Sequence, residues 1–349
     1  MILFIIAAFA LAFVLSYLSL PPIITISHLK NITDHPDLDR KAHSKPTPTV
    51  GGITFFFCTL FVYALFLDYF KKDYIPFLIP SMTLIFIAGL KDDITAMKPW
   101  RKLVMQSSCA VLLTVFGSIH ISSLWGIMGV TDIPTWLGIL LTFLIILTLI
   151  NAFNLIDGVD GLAGTLGLIG FFFFGSWFFL VHQYALSVLA FAMAGSILGF
   201  LYFNYSPAKI FMGDTGAMMI GFMMSVLAIN FIEINRISVS SDSIFYIKAA
   251  PAVALSVVII PLFDLVRLFV VRILNKKNPF SADRNHIHHL LTLKGYSANK
   301  TVTLLALLEI FFIILSLALK EIRSYALLLV LALVYIVTHF VLKRIPTQK

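Results

Sequence analysis

The sequence predicts an all-α polytopic membrane protein of about eleven transmembrane helices, with its N-terminus outside and its C-terminus in the cytosol. Three observations carry this. Of 349 residues, 60% are hydrophobic and 12% charged, with a mean hydropathy of +0.98, against roughly 25% charged in a soluble domain. Apolar runs of about 20 residues recur from end to end, each long enough to cross a bilayer. The Lys and Arg residues concentrate on alternate connecting segments.

The first run, 1–20, has no basic residue before it; the first Lys is Lys30. A secretory signal opens with a positive region and closes on a small-residue cleavage site, so this run reads as a retained helix over 1–25. Further helices are expected over 51–70, 75–90, 103–119, 134–150, 166–182, 184–203, 216–232, 249–273, 301–319 and 324–342. Only His182 and Gln183 divide the pair at 166–203. Segments 28–50, 91–102, 151–165, 204–215, 274–300 and the tail then share one face. With Arg272 they hold 18 of the 25 Lys and Arg, and the opposite face holds 6. The basic face is the cytosolic one. The net charge of +8 is therefore mostly topology and attraction to anionic membrane lipid, and no nucleic-acid partner is expected. Cys58 and Cys109 lie in separate apolar runs and form no disulfide framework. Neither internal repeats nor a soluble domain is visible, so 1–349 reads as a single membrane domain.

Chemistry collects on the basic face, which holds nine of the 17 Asp and Glu and six of the nine His. After the third helix, Asp92 and Asp93 are adjacent carboxylates, which repel unless a cation lies between them. Mg²⁺ is typically held by one or two carboxylates plus phosphate oxygens. In Asn151-Ala-Phe-Asn154-Leu-Ile-Asp157-Gly-Val-Asp160-Gly161, polar residues recur every third position, so a helix would put Asn154, Asp157 and Asp160 on one broad face. No Lys or Arg lies within this segment. Phe211-Met-Gly213-Asp214-Thr-Gly216 opens the eighth helix; Asp214 suits a metal ligand or an N-cap, and the helix N-terminus suits phosphate. Before the tenth helix stands Asp283-Arg284-Asn-His286-Ile-His288-His289. Zinc would recruit Cys or well-spaced carboxylates, so with Arg284 alongside these histidines read as donors to a diphosphate. The run Asp39-Arg-Lys-Ala-His43-Ser-Lys45-Pro-Thr-Pro-Thr49-Val-Gly51-Gly52 reads as a stiffened loop presenting Lys45 and Thr49 to an anion. Asp264 and Arg267, three apart inside an apolar run, read as an intrahelical pair.

In this order the five segments resemble the polyprenyl-phosphate N-acetylhexosamine-1-phosphate transferases, in their WecA/TagO-type branch. The shared patterns are DxxRKxHxxPxPxxGG (Asp37 to Gly52), DD (Asp92-Asp93), NAxNxxDGxDGL (Asn151 to Leu162), FxGDxG (Phe211 to Gly216) and HIHH (His286 to His289). The related phospho-MurNAc-pentapeptide transferases of peptidoglycan synthesis usually carry three contiguous His, and Ile287 interrupts that run.

The resemblance implies a Mg²⁺-dependent enzyme, with Mn²⁺ as a substitute, in the bacterial inner membrane with its site on the cytosolic face. Its reaction would join UDP-GlcNAc and undecaprenyl phosphate to give undecaprenyl-diphospho-GlcNAc and UMP, the first membrane step of an envelope polysaccharide. It further implies Asn154 and Asp214 as metal ligands, and catalytic roles for Asp92, Asp93 and Asp157. Lys45, Thr49, Asp160, Phe211, Arg284, His286, His288 and His289 would bind substrate, Phe211 and Asp160 at the uracil. A homodimer is compatible with it. The rival reading from another class, a lipid-phosphate flippase or ion-coupled transporter, would place its ionisable residues near the bilayer midplane. Here the candidate site residues sit at one face, with Asp264, Arg267, Glu309 and His339 the main exceptions.

Overall fold

A computed structural model describes residues 1–34, 46–66, 69, 77–127, 129–276 and 286–344. Its elements run α1 (Ile2–Leu29), β1 (Thr33–Asp34), β2 (Thr47–Pro48), α2 (Ile53–Phe66), α3 (Leu78–Ile94), α4 (Pro99–Val111), β3 (Ser123–Ile127), β4 (Val130–Asp132) and α5 (Thr135–Ile156). They continue as α6 (Leu162–Leu180), α7 (Tyr184–Asn204), α8 (Gly213–Ile237), α9 (Ala250–Ser256), α10 (Ile259–Leu274), α11 (Ile287–Leu293), α12 (Ala298–Ala318) and α13 (Ser324–Arg344). The chain is an all-α polytopic membrane protein. Among the described residues, α1, α5, α6, α7, α8, α12 and α13 are each long and apolar enough to span, and α9 with α10 forms an eighth, bent candidate. The shorter α2 is apolar as well. A π-helical turn, Leu112–Phe116, prolongs α4.

Burial ranks the helices. The apolar stretches of α7 and α8 are 83% and 78% buried, those of α1 and α13 only 22%. Apolar residues therefore surround α8 on every side, and it packs on α3, α5, α6 and α9. Two crossings at its first turn are made backbone to backbone. A Cβ on Gly89 of α3 would stand 2.4 Å from the Thr215 Cα, and one on Gly52 2.1 Å from the Gly216 nitrogen. Small residues permit such close approach between membrane helices.

Three features depart from the sequence expectation. The single helix expected over 249–273 is two helices at 83°. Pro261 explains the position of the break: its ring clashes with the carbonyl four residues earlier, at Val257, where α9 has ended. Second, the connection after α4 is an antiparallel hairpin, β3–β4, rather than a plain loop. Glu233 on α8 accepts from the Ser122 amide at 2.9 Å, and Arg236 pairs with Asp132, which fixes the hairpin to the end of α8 far from the site below. Third, a short helix, α11, forms inside the expected loop 274–300. The division expected at His182–Gln183 is present between α6 and α7.

Candidate active site

Both carboxylates of the Asp92-Asp93 pair lie in the last turn of α3, and they point to different partners. Asp93 reaches α8: its Oδ1 accepts from the Asp214 amide at 2.7 Å, and its Oδ2 from the Thr215 amide at 3.0 Å and the Thr215 hydroxyl. The first-turn amides of a helix lack intrahelical acceptors and carry its positive dipole end, so this carboxylate caps α8 from another helix. The amides of Asp214 and Thr215, expected to face a phosphate, are thus already taken. Asp214 is not the cap residue; the N-terminus of α8 has no cap from its own side chains.

Asp92 accepts from the Met97 amide at 2.5 Å and pairs with Lys102 of α4 at 3.1 Å. The same ammonium lies 2.8 Å from Asp214 Oδ2 and 3.3 Å from Asn154 Oδ1, and the Asn154 amide donates to Asp214 Oδ1. Four helices, α3, α4, α5 and α8, therefore place Asp92, Lys102, Asn154 and Asp214 at one point. Three oxygens converging on one positive nitrogen make a donor set suited to a hard cation, for which carboxylate and amide oxygens are the preferred ligands. Among the described residues no cluster of three or more His, Cys, Asp or Glu is arranged as a metal site; the donor set here counts two carboxylates and an amide.

The second motif is not one helical face. α5 ends at Ile156, Asp157 is its C-cap, and Gly161 takes φ +80° ahead of α6. Gly158 and Gly161 end the helix where the periodic reading would have continued it. Asp157 is half-buried at this turn and has no hydrogen-bond donor among the described residues. Burial, then the charges of Asp214, Asp93 and Asp160, push its carboxyl up to about 8. Asp160 is buried and accepts from the Ala208 amide at 3.2 Å, tying this turn to the loop that leads to Phe211. Asn204, also buried, makes the same tie: it accepts from Gly161 N and donates to the Ile210 carbonyl, both at 2.8 Å. Asn151 is structural, donating to Gln106 of α4 at 3.0 Å.

The Pro48–Gly52 loop lies along the Phe211 loop. Phe211 N donates to the Pro48 carbonyl at 2.7 Å, Gly51 N to the Phe211 carbonyl at 2.9 Å, and Gly52 N to the Met212 carbonyl at 3.0 Å. Thr49 is held between, its carbonyl against Gly213. Lys45 and Arg284 lie outside the described residues.

The histidine motif opens α11. Asp264 on α10 accepts from His286 Nδ1 at 2.8 Å, from the Ile287 amide at 2.9 Å and from Arg267 at 3.0 Å. The Asp264–Arg267 pair expected from sequence is present, and Asp264 also anchors the motif. The His288 ring lies on the backbone of Gly158, where a Cβ would stand 2.4 Å from Nε2, and His289 packs beside it at 4.4 Å. Burial, reinforced by the charges of His289 and His286, lowers His288 to about 3. It is a neutral imidazole at physiological pH, and both its nitrogens are buried without a partner among the described residues.

Of the expected residues, Asp92, Asn154 and Asp214 converge directly, Asp93 and Thr49 flank them, and Asp157 is in their electrostatic reach. His288 joins through Gly158, whereas His286 is turned to Asp264. Two site residues escaped the sequence reading. Lys102 stands among Lys91, Lys98 and Arg101 and read only as part of the topology signal. Asp264 read only as the partner of Arg267.

Residues 75–232 match the family described as Glycosyl transferase family 4. The chain is 30% identical over 280 residues to the undecaprenyl-phosphate alpha-N-acetylglucosaminyl 1-phosphate transferase of Haemophilus influenzae, covering 78% of this chain and 75% of that protein. It is 29% identical over 281 residues to the Salmonella typhi protein of the same name, covering 79% and 73%. A probable undecaprenyl-phosphate N-acetylglucosaminyl 1-phosphate transferase of Bacillus subtilis is 34% identical over 133 residues, 38% of this chain and 34% of that protein.

Proposed function

The chain belongs to glycosyl transferase family 4, among the polyprenyl-phosphate N-acetylhexosamine-1-phosphate transferases, and we infer that it transfers GlcNAc-1-phosphate from UDP-GlcNAc to undecaprenyl phosphate, releasing UMP. One observation carries the reading. Carboxylates from α3, the α5–α6 turn and α8 gather at one end of a membrane bundle, beside the Pro48–Gly52 loop and the histidine helix. That end is the basic one, so the site faces the cytosol, where a sugar nucleotide is present, at the level of the inner leaflet of the bacterial inner membrane.

The chemistry asks for charge control. Two anionic phosphates must meet, and each unit-charge pair at about 4 Å opposes this by roughly 4 kcal/mol at an effective dielectric near 20. We assign Asp214, Asn154 and Asp92 to hold Mg²⁺; when bound, the ion neutralises the donor's diphosphate and stabilises the leaving UMP. Asp93 does not touch substrate in this reading. It fixes the first turn of α8 so that Asp214 points into the site. Asp157, which accepts from no donor among the described residues, is the carboxyl placed to orient the acceptor phosphate. A phosphate whose second pKa is about 6 is mostly dianionic at pH 7, so it attacks directly and needs little help from a base. His288, being neutral, contributes a hydrogen bond rather than a charge to the diphosphate. Phe211 and Asp160, on adjoining loops, receive the uracil. An apolar groove of about 560 Å³ between α3 and α4 begins at Leu103, beside Lys102, and offers the isoprenoid tail a path into the bilayer.

The test offers purified protein undecaprenyl phosphate and Mg²⁺ with UDP-GlcNAc, UDP-GalNAc or UDP-MurNAc-pentapeptide, and measures UMP. Release with UDP-GlcNAc is expected. Release with the pentapeptide nucleotide alone would assign the chain to the peptidoglycan branch.

A further inference from the structure

We propose that the Lys102 ammonium occupies the seat of the divalent cation in the metal-free protein, and that the cation enters by displacing it. The inference rests on the cation reading above and adds a competitor for the same oxygens.

The geometry is that of a resident counter-ion. An ammonium has three N–H donors and no acceptor. Here the three oxygens within reach, at 2.8, 3.1 and 3.3 Å, come from Asp214, Asp92 and Asn154. They belong to three helices, and Lys102 enters from a fourth. Its side chain is only 16% exposed, so this is a built arrangement and not a surface lysine resting on the nearest acid. The charge it answers is that of Asp92 and Asp214, whose carboxylates from two helices meet at this one ammonium. Without Lys102 the two carboxylates would keep the Met97 and Asn154 amides as donors but lose their charged partner.

A divalent ion needs the same oxygens at about 2.0–2.1 Å, and it repels an ammonium lodged among them. Both cannot occupy the point. Lys102 lies in the first turn of α4 on a flexible four-carbon stem, so it can leave without moving a helix. The exchange makes free cation bind weakly and favours cation that arrives already paired with a nucleotide diphosphate, whose negative charge attracts the departing ammonium's share of the field.

Lys102→Met removes the competitor and nearly keeps the side-chain volume. Full-length protein in detergent is titrated with Mn²⁺ alone, without nucleotide, and free Mn²⁺ is followed by electron paramagnetic resonance. Lys102→Met is expected to bind at least about tenfold more tightly than wild type, and Lys102→Arg, which keeps the charge, to stay near wild type. In EDTA the Met variant should melt below wild type, with Mg²⁺ restoring it, while the wild-type transition barely moves. A double variant, Lys102→Met with Asp214→Asn, should lose the tight site. Equal or weaker Mn²⁺ binding by Lys102→Met would overturn the displacement and leave the cation reading standing. Absence of Mn²⁺ binding in every form, even with UDP-GlcNAc present, would remove both. If Lys102→Met fails to accumulate in the membrane, Lys102→Gln, neutral but still a hydrogen-bond donor, answers the same question.

Discussion

Adjacent carboxylates at Asp92 and Asp93 do different work because the backbone turns one to α4 and the other to α8. The difference is measurable. Asp93→Ala strips two amides and a hydroxyl of their acceptor and should destabilise the protein by about 1–2 kcal/mol, the range for lost helix caps. Asp214→Asn removes a charge without touching a cap. Activity should then fall at least about a hundredfold, past the roughly 10–100-fold usual for outer-shell changes, with the melting temperature nearly unchanged and partial recovery at high Mg²⁺. Normal turnover of Asp214→Asn at sub-millimolar Mg²⁺ would remove it from the metal site. Asp157 makes a pH-dependent contribution. Its folded carboxyl titrates near 8 and an unfolded one near 3.9, so between about pH 4 and 8 the folded state binds more protons. Stability of the metal-free protein should therefore decline as pH rises through that window. Asp157→Asn should flatten the decline, and melting curves of both proteins at pH 5, 6.5 and 8 in EDTA check it.

At the scale of elements, the apolar runs were legible because a bilayer imposes length and hydropathy on every span. What the runs could not reveal is what interrupts them. Pro261 was visible, yet an apolar stretch with one proline reads as a kinked helix as easily as a broken one. The turn after α5 misled for a related reason: a three-residue polar period suits a helix face, and two glycines outweighed it. The hold of Asp264 on the histidine motif was unreadable because His286 and Ile287 lie more than twenty residues on, and only the fold brings them together. Glycines at crossings separate packing from chemistry. Gly89→Ala would set a Cβ 2.4 Å from backbone of α8 and should lower both stability and activity by parting α3 from α8. Gly158→Ala meets only the His288 ring. That side chain can shift, so activity should fall while the thermal transition stays within a few degrees of wild type. A Gly158→Ala protein with full activity would detach His288 from the reaction.

Over the whole molecule, the ends of the bundle differ in kind. One gathers the carboxylates and histidines; the other carries the β3–β4 hairpin, with Glu233 and Arg236 holding it to α8. The concentration of Lys and Arg on the end that gathers the carboxylates predicts that this end faces the cytosol, and the prediction is open to a direct check. Cys58 and Cys109 are both buried, so an introduced thiol gives a clean signal. Ala96 and Ser241 are exposed at opposite ends. Ala96→Cys should react with an impermeant maleimide only in inverted vesicles, and Ser241→Cys only in intact cells. Labelling of both from one side would overturn the orientation.

The carboxylate that closes α8 from α3 has a consequence for the timing of synthesis. Asp92, Asp93, Lys102, Asn154 and Asp157 all precede the break between α6 and α7, whereas Asp214 and the three histidines follow it. The growing chain therefore delivers six helices to the bilayer with an ionisable cluster lacking one wall, and Lys102 the only basic partner yet in place among the described residues. Completion waits for the eighth helix, whose first turn has no cap until Asp93 meets it. Insertion of that helix completes the carboxylate cluster while α9 to α13, with the histidines, are still to follow.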